Sequence, residues 1–231
     1  MDRIQVLLNG SPVASFIFIV TVAISIVVFL NRNLFDKLEL RPHAFVQGKR
    51  RYTIITSGLI HANWQHLILN MLTFYFFAFA LEAKFVYLQT VWTAVDDPGA
   101  QTIGEWIGRG KFFVLYFGCM IIADLSTIIK YRKEPSYKSV GASGALSGAV
   151  LAFIILQPNI MLFGAIPGWL FALVYTIGSY IAARTQPMSG IAHEAHLWGT
   201  LGALVLTPIM YPEQAWKFVQ SVVDWTTKIL G

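Results

Sequence analysis

Cysteine is nearly missing from this chain: Cys119 is the single one, so no internal disulfide and no cysteine-based metal cluster can form. Charge is scarce too. Asp, Glu, Lys and Arg make up 13% of the residues, against about 25% in ordinary soluble domains. Internal repeats and low-complexity tracts are not found. In their place stands apolar material: 56% of the residues are hydrophobic and the mean hydropathy is +0.60. A length of 231 residues would suit a soluble domain, but so few charges could not cover such a core. The formal charge of +5 and pI near 9.4 are not a nucleic-acid footprint, because basic loops beside anionic lipid give the same sum.

The apolar residues fall in runs of helix length. Pro12 to Leu30 carries no charge and is long enough to cross a hydrocarbon core of about 30 Å. It reads as an anchor rather than a cleaved signal, since it exceeds a signal's apolar region and Asn31-Arg32-Asn33 offers no small-residue cleavage site. Further spans are expected at 53–81, 112–129, 139–156, 160–183 and 191–210. Residues 82–111 read as a loop around the turn signal Asp96-Asp97-Pro98-Gly99. Residues 212–231 have an amphipathic helical pattern that suits either the membrane interface or the side of the bundle. The expectation is one all-α, polytopic six-helix membrane domain; the runs lack the alternation of barrel strands.

Ionisable groups inside spans are costly and point to function. Four of the five histidines, His61, His66, His193 and His196, fall at spans two and six. Span four opens with Gly141-Ala142-Ser143-Gly144. In a six-span chain the even spans start on one side, so His66, Ser143 and His196 share a shallow depth on one face. A serine hydroxyl needs a neighbouring imidazole to take its proton and later give it to the leaving amine. The tetrahedral intermediate needs donors aimed at its oxyanion. His66 and Asn70, four apart on one helix face, could supply them, as could the Ser143 N–H at a helix start. The small residues around Ser143 allow close approach of a helix or a peptide backbone.

With these motifs the chain resembles the rhomboid intramembrane serine proteases, in particular a bacterial subgroup. His61-Ala62-Asn63-Trp64-Gln65-His66-Leu67-Ile68-Leu69-Asn70 is similar to the family's HxxxxHxxxN, Gly141-Ala142-Ser143-Gly144 to GxSG, and Ala195-His196-Leu197-Trp198-Gly199 to AHxxG. The resemblance spans roughly Thr53 to Pro208. It implies a rhomboid-like bundle in which Ser143 is the nucleophile and His196 the general base, with no third acidic member. It further implies that His66 and Asn70 support the oxyanion and that His61, Gly141, Gly144 and Gly199 are structural near the site. No cofactor, metal or nucleic acid is implied; the partners are the bilayer and transmembrane protein substrates. Two features depart from the family. Many members carry a large aromatic residue four positions after the nucleophile, where this chain has Ser147, so His196 must be supported differently. The Trp-Arg pair of the first loop is only echoed by Arg50-Arg51-Tyr52.

The resemblance also implies a bacterial inner-membrane protein whose site opens away from the cytoplasm. The basic residues point the other way. Arg3, Lys84, Arg109, Lys111, Lys217 and Lys228 lie in loops on the N-terminal side, six in all, and eleven lie opposite, which by the positive-inside rule would invert the protein. Three other functions fit less well. A catalytically silent relative that binds transmembrane clients would be expected to lack Ser143 or His196. A transporter using Asp124 would be expected to show matching broken halves. A zincin needs HExxH, and His193-Glu194-Ala195-His196 is one residue short.

Overall fold

The computed structural model describes residues 10–92, 97–185 and 192–230. Arg3, Asp96, most of the 184–190 loop and Ile191, which enter the expectations above, lie outside these residues. Helix α1 (Pro12–Leu30) starts with Pro12 at its first position, where the missing N–H costs nothing. Its next donors meet a carboxylate: Val13 N–H and Ala14 N–H donate to Glu82 at 3.2 and 2.6 Å. Glu82 is fully buried. An acidic group suits the positive end of a helix and satisfies donors that have no partner within it.

The 31–63 segment folds into short elements. Short helices α2 (Arg32–Leu38), α3 (Pro42–Val46) and α4 (Thr53–Thr56) are followed by a 3₁₀ turn at Ser57–Leu59. Buried Glu39 accepts from Arg41 Nε at 2.7 Å and pairs with Lys138 at 2.9 Å. Beside it, Leu40 and Ser139 exchange backbone hydrogen bonds of 3.0 Å each.

The second expected span opens at Thr53, whereas the long helix opens at Trp64. Asn63 caps it, its side chain accepting from His66 N–H at 2.9 Å, and extended Ile60 separates it from the 3₁₀ turn. The chain then runs through α5 (Trp64–Thr73), a π turn (Phe74–Ala78) and α6 (Phe79–Trp92). The expected loop at 82–111 is thus corrected on both flanks: Glu82 lies inside the bundle, and α7 (Pro98–Tyr131) begins well ahead of residue 112. Asp97 caps α7 by accepting from Gly99 N–H at 2.9 Å. The charges that resemble a loop are absorbed by an Arg109–Glu105 pair at 3.0 Å and by Lys111, which donates to Gln89 at 2.8 Å.

Helix α8 (Ser143–Leu156) starts four residues later than the expected 139, because Ser139 is bonded to Leu40 and Gly141 to Ser57, and Gly141 turns the chain at a positive φ. Every residue of α8 from Gly144 to Leu156 is buried. Its 14 residues span about 21 Å, well short of the roughly 30 Å hydrocarbon core. A small hairpin, β1 (Met161–Leu162) with β2 (Ile166–Pro167), precedes α9 (Gly168–Thr185), so the fifth helix starts later than 160. Helix α10 (His193–Met210) and α11 (Pro212–Leu230) complete the described chain. Of the two settings open for the tail, the side of the bundle is what α11 takes on one face: Ala215 and Phe218 join the core, Trp225 meets Trp169 edge-on, and Ser221 donates to Asn159 at 2.9 Å.

Among the described residues, three helical stretches are long and apolar enough to cross a membrane, Pro12–Leu30, Trp64–Val91 and Pro98–Tyr131, with Ser143–Leu156 as a shorter apolar helix. The second and third of these pack on α8, and Pro12–Leu30 packs on α5 and α6; α8 contributes most of its length to one continuous core with Phe74, Phe85, Phe112 and Tyr116.

Candidate active site

Glycines decide how closely the elements around Ser143 approach. A methyl on Gly199 of α10 would fall onto the Gly144 backbone of α8, 2.7 Å from its carbonyl carbon and 3.1 Å from its Cα. One turn along, a methyl on Gly148 would meet Cys119 Sγ of α7 at 2.5 Å and Gly199 O at 2.9 Å. Helices α8 and α10 therefore touch backbone to backbone. Ser143 lies one residue before this contact and His196 one turn before it. A cavity of about 10 Å³, on the scale of one water, is lined by Asp124, Ser139, Gly141 and Ser143 together with Ala192 and Ala195 of the α10 start. The Ser143 hydroxyl and the His196 ring share no hydrogen bond among the described residues. Nucleophile and base often stand loosely without substrate.

Ser143 is the first residue of α8, so its N–H is among those left without an intrahelical partner. The approach to it is fixed by Gly141, whose φ of +117° is a conformation that L side chains rarely adopt. Gly141 N–H donates to Ser57 O at 2.9 Å. The Ser57 hydroxyl in turn reaches Thr53 O at 2.6 Å and Asp124 Oδ2 at 3.0 Å. Asp124 is 8% exposed. It lies beside the loop that delivers the serine, lining the same cavity as Gly141 and Ser143.

The His66 ring lies directly against Gly141: a methyl there would stand 2.6 Å from His66 Cε1 and 2.7 Å from Nε2. One face of α5 thus meets the serine loop, with Leu67 and Met71 entering the core beside it. Buried Asn70 spends one amide hydrogen on His66 O at 2.9 Å; its second hydrogen and its carbonyl remain for other partners. His61 is fully buried, its Nδ1 paired with Ser25 Oγ of α1 at 3.0 Å and its ring set edge-on to His66 at 5.0 Å between centroids. It buttresses His66 and joins α1 to the site.

At the start of α10, Glu194 binds Lys130 of α7 and accepts from Trp198 Nε1–H at 2.9 Å. Its carboxylate is committed to fixing α10. The His193 ring stands edge-on to His196 at 6.0 Å. His196 finds another partner across the helix boundary: Tyr175 of α9, whose ring is offset-stacked on it with 6.4 Å between centroids and 22° between planes. Ser147, one turn after Ser143, sits 2.6 Å from the Tyr175 hydroxyl. Among the described residues no group of three His, Cys, Asp or Glu side chains is arranged to hold a metal ion.

Ser57, Asp124 and Tyr175 are parts of the site that the motifs do not contain. A polar residue in an apolar run was the available signal for the first two. Tyr175 had none beyond Ser147, which left His196 in want of another support.

A model of the rhomboid domain matches residues 48–213. The chain is 28% identical over 185 residues to the Arabidopsis thaliana RHOMBOID-like protein 12, mitochondrial, covering 77% of this chain and 52% of that protein. It is 29% identical over 159 residues to YdcA of Bacillus subtilis (strain 168), a protein named as a candidate rhomboid protease, covering 68% of this chain and 65% of that one. The chain thus spans less than two thirds of the length of either relative.

Proposed function

The chain belongs to the rhomboid family, and on that premise we propose that it is an intramembrane serine endopeptidase acting on transmembrane segments of other proteins. The observation that carries this reading is the backbone contact of Gly144 with Gly199, which brings the helix start bearing Ser143 against the turn bearing His196. In the proposed reaction Ser143 Oγ attacks the carbonyl carbon of the scissile bond as its proton passes to His196. The oxyanion takes hydrogen bonds from the Ser143 N–H, His66 and Asn70. The tetrahedral intermediate collapses, the C–N bond breaks, and His196 gives its proton to the leaving amine. Water, activated by His196, then hydrolyses the acyl-enzyme and frees Ser143. In the proposed dyad the half-buried His196 ring is oriented by its packing beside Tyr175, and Glu194 is engaged elsewhere.

The proposal includes a six-span core, counting α8, α9 and α10 as spans, in a bacterial cell membrane with the site opening away from the cytoplasm. The count of basic residues opposes that orientation. Four of the eleven cations on the site side are held in ion pairs within the protein: Arg32 on Asp36, Arg41 and Lys138 on Glu39, and Lys130 on Glu194. A Tyr52→Cys variant tests it, since Tyr52 is exposed and Cys119 buried: an impermeant maleimide added to intact cells should label it.

For the activity, purified protein in detergent is mixed with a single-span model substrate, with and without chelator, alongside Ser143→Ala and His196→Ala. Wild type alone should cleave, with chelator making no difference, and a fluorophosphonate should attach at Ser143. A folded wild-type protein that neither cleaves nor labels would refute the protease reading and favour a silent, client-binding relative.

A further inference from the structure

His196 leaves α10 facing a neighbour that no motif names. Tyr175 lies on α9 between Phe171, one turn before it and stacked on it at 6.0 Å and 11°, and His196 at 6.4 Å and 22°. Both separations fall within the usual range for paired aromatic rings. The far end of the tyrosine is fixed by hydroxyls. Ser147 Oγ donates its one hydrogen to Ser143 O at 2.8 Å, so at the 2.6 Å contact with Tyr175 the tyrosine must be the donor. Ser179, one turn further along α9, is a second polar neighbour of the same hydroxyl. The chain of contacts therefore runs from the carbonyl of Ser143, through Ser147, to a ring lying on the imidazole of His196. It ties three helices, α8, α9 and α10, at the two residues of the dyad.

We infer that Tyr175 is the positioning residue of the dyad: its ring limits the His196 imidazole to the orientation facing Ser143, and its hydroxyl, anchored on Ser147, sets that ring in register with the Ser143 backbone. The inference rests on the serine-protease reading. Physically, an imidazole with one face open can turn about its side-chain bonds, and a base misplaced by about 1 Å loses on the order of a hundredfold in rate. A ring standing near-parallel beside it, 6.4 Å between centroids, blocks rotation toward that side. Because the tyrosine comes from α9 and its anchor from α8, the alignment of the base depends on how α9 is seated against α8.

The test uses the full chain in detergent, reading the rate of fluorophosphonate labelling at Ser143 and the cleavage of a single-span substrate. Labelling needs the base but no transmembrane client, so it separates alignment of the dyad from client binding. Tyr175→Ala should slow labelling and lower kcat by about ten- to a hundredfold, with KM changed less than about twofold, and should move the pH midpoint of labelling. Tyr175→Phe keeps the ring and loses the anchor; it should recover most of the rate and the wild-type midpoint. Ser147→Ala should match Tyr175→Phe. Tyr180→Ala, an exposed tyrosine on the same helix, is the control expected to behave as wild type. Should Tyr175→Ala not fold, Tyr175→Leu retains bulk without a flat face and carries the same expectation. A folded Tyr175 variant that labels at the wild-type rate with the wild-type pH midpoint overturns the inference, as does a defect confined to KM. A wild type that does not label overturns the protease reading itself, which is a different result from a labelled wild type with an indifferent Tyr175.

Discussion

Gly199→Ala puts the smallest possible side chain at the closest approach of α8 and α10. Its Cβ would stand 2.7 Å from the Gly144 carbonyl carbon and 3.1 Å from Gly144 Cα, where ordinary contact begins at 3.4 Å. Backbone on one side and a helix axis on the other leave nothing flexible to yield, so the helices must part by about 1 Å. Overpacking of this kind costs roughly 1–3 kcal/mol of stability. The larger effect is on chemistry. Ser143 and His196 sit on opposite sides of this contact, and about 1 Å of misplacement lowers rate by about a hundredfold. The variant should therefore stay folded by thermal melting, bind substrate with a KM near wild type, and lose about two orders of magnitude in kcat and in fluorophosphonate labelling. Gly202→Ala, on the same helix, is the internal comparison. There the new Cβ meets the Ile122 side-chain end at 3.0 Å, which can rotate away, so the rate should stay within about threefold of wild type, the range of an accommodated core change. A Gly199→Ala enzyme that keeps wild-type kcat, or a Gly202→Ala enzyme equally impaired, would refute the claim that this contact sets the dyad.

Other substitutions test neighbouring parts. Gly141→Ala combines a strained φ with a methyl on the His66 ring; it should displace His66, cut kcat by about 10²–10³-fold as for loss of an oxyanion donor, and leave Ser143 present but slowly labelled. Glu82→Ala orphans two donors of α1, at about 1–3 kcal/mol each; a clear fall in melting temperature in detergent should result, and Glu82→Gln should fall less. Cys119, fully buried against Gly148, should resist a bulky thiol reagent in the folded protein and react once it is unfolded; rapid labelling of the folded protein would contradict the close packing of α7, α8 and α10.

Much of this arrangement is legible in the residues. Uncharged runs of helix length locate α1 and α8, and the fixed offsets within HxxxxHxxxN, GxSG and AHxxG select Ser143, His196, His66 and Asn70. Charge misleads at Glu82, since a sequence does not distinguish a solvated carboxylate from one buried under a helix start. Apolar composition misleads at 57–63 and 139–142, where the backbone leaves the α-helix although no proline or charge interrupts the run; in the second, Ser139 bonds with Leu40 and Gly141 with Ser57. Tyr175 is illegible for a different reason: its partner lies on another helix, and no spacing in sequence encodes a stack formed by the seating of α9 on α10.

The burial of α8 on every side shapes how a client must arrive. A protein confined to a bilayer searches in two dimensions, and on the proposed protease reading a client would have to pass the elements packed on α8 to reach its start at Ser143. On that reading the last step would pass near the rim formed by Ser139 to Gly141 and the chain from Leu40 to Ile60. A segment making that crossing gives up its own helical hydrogen bonds and must find partners for each freed group. If the proposed activity holds, selection among clients would turn on how readily the end of a segment comes apart, a property of the client's own helix.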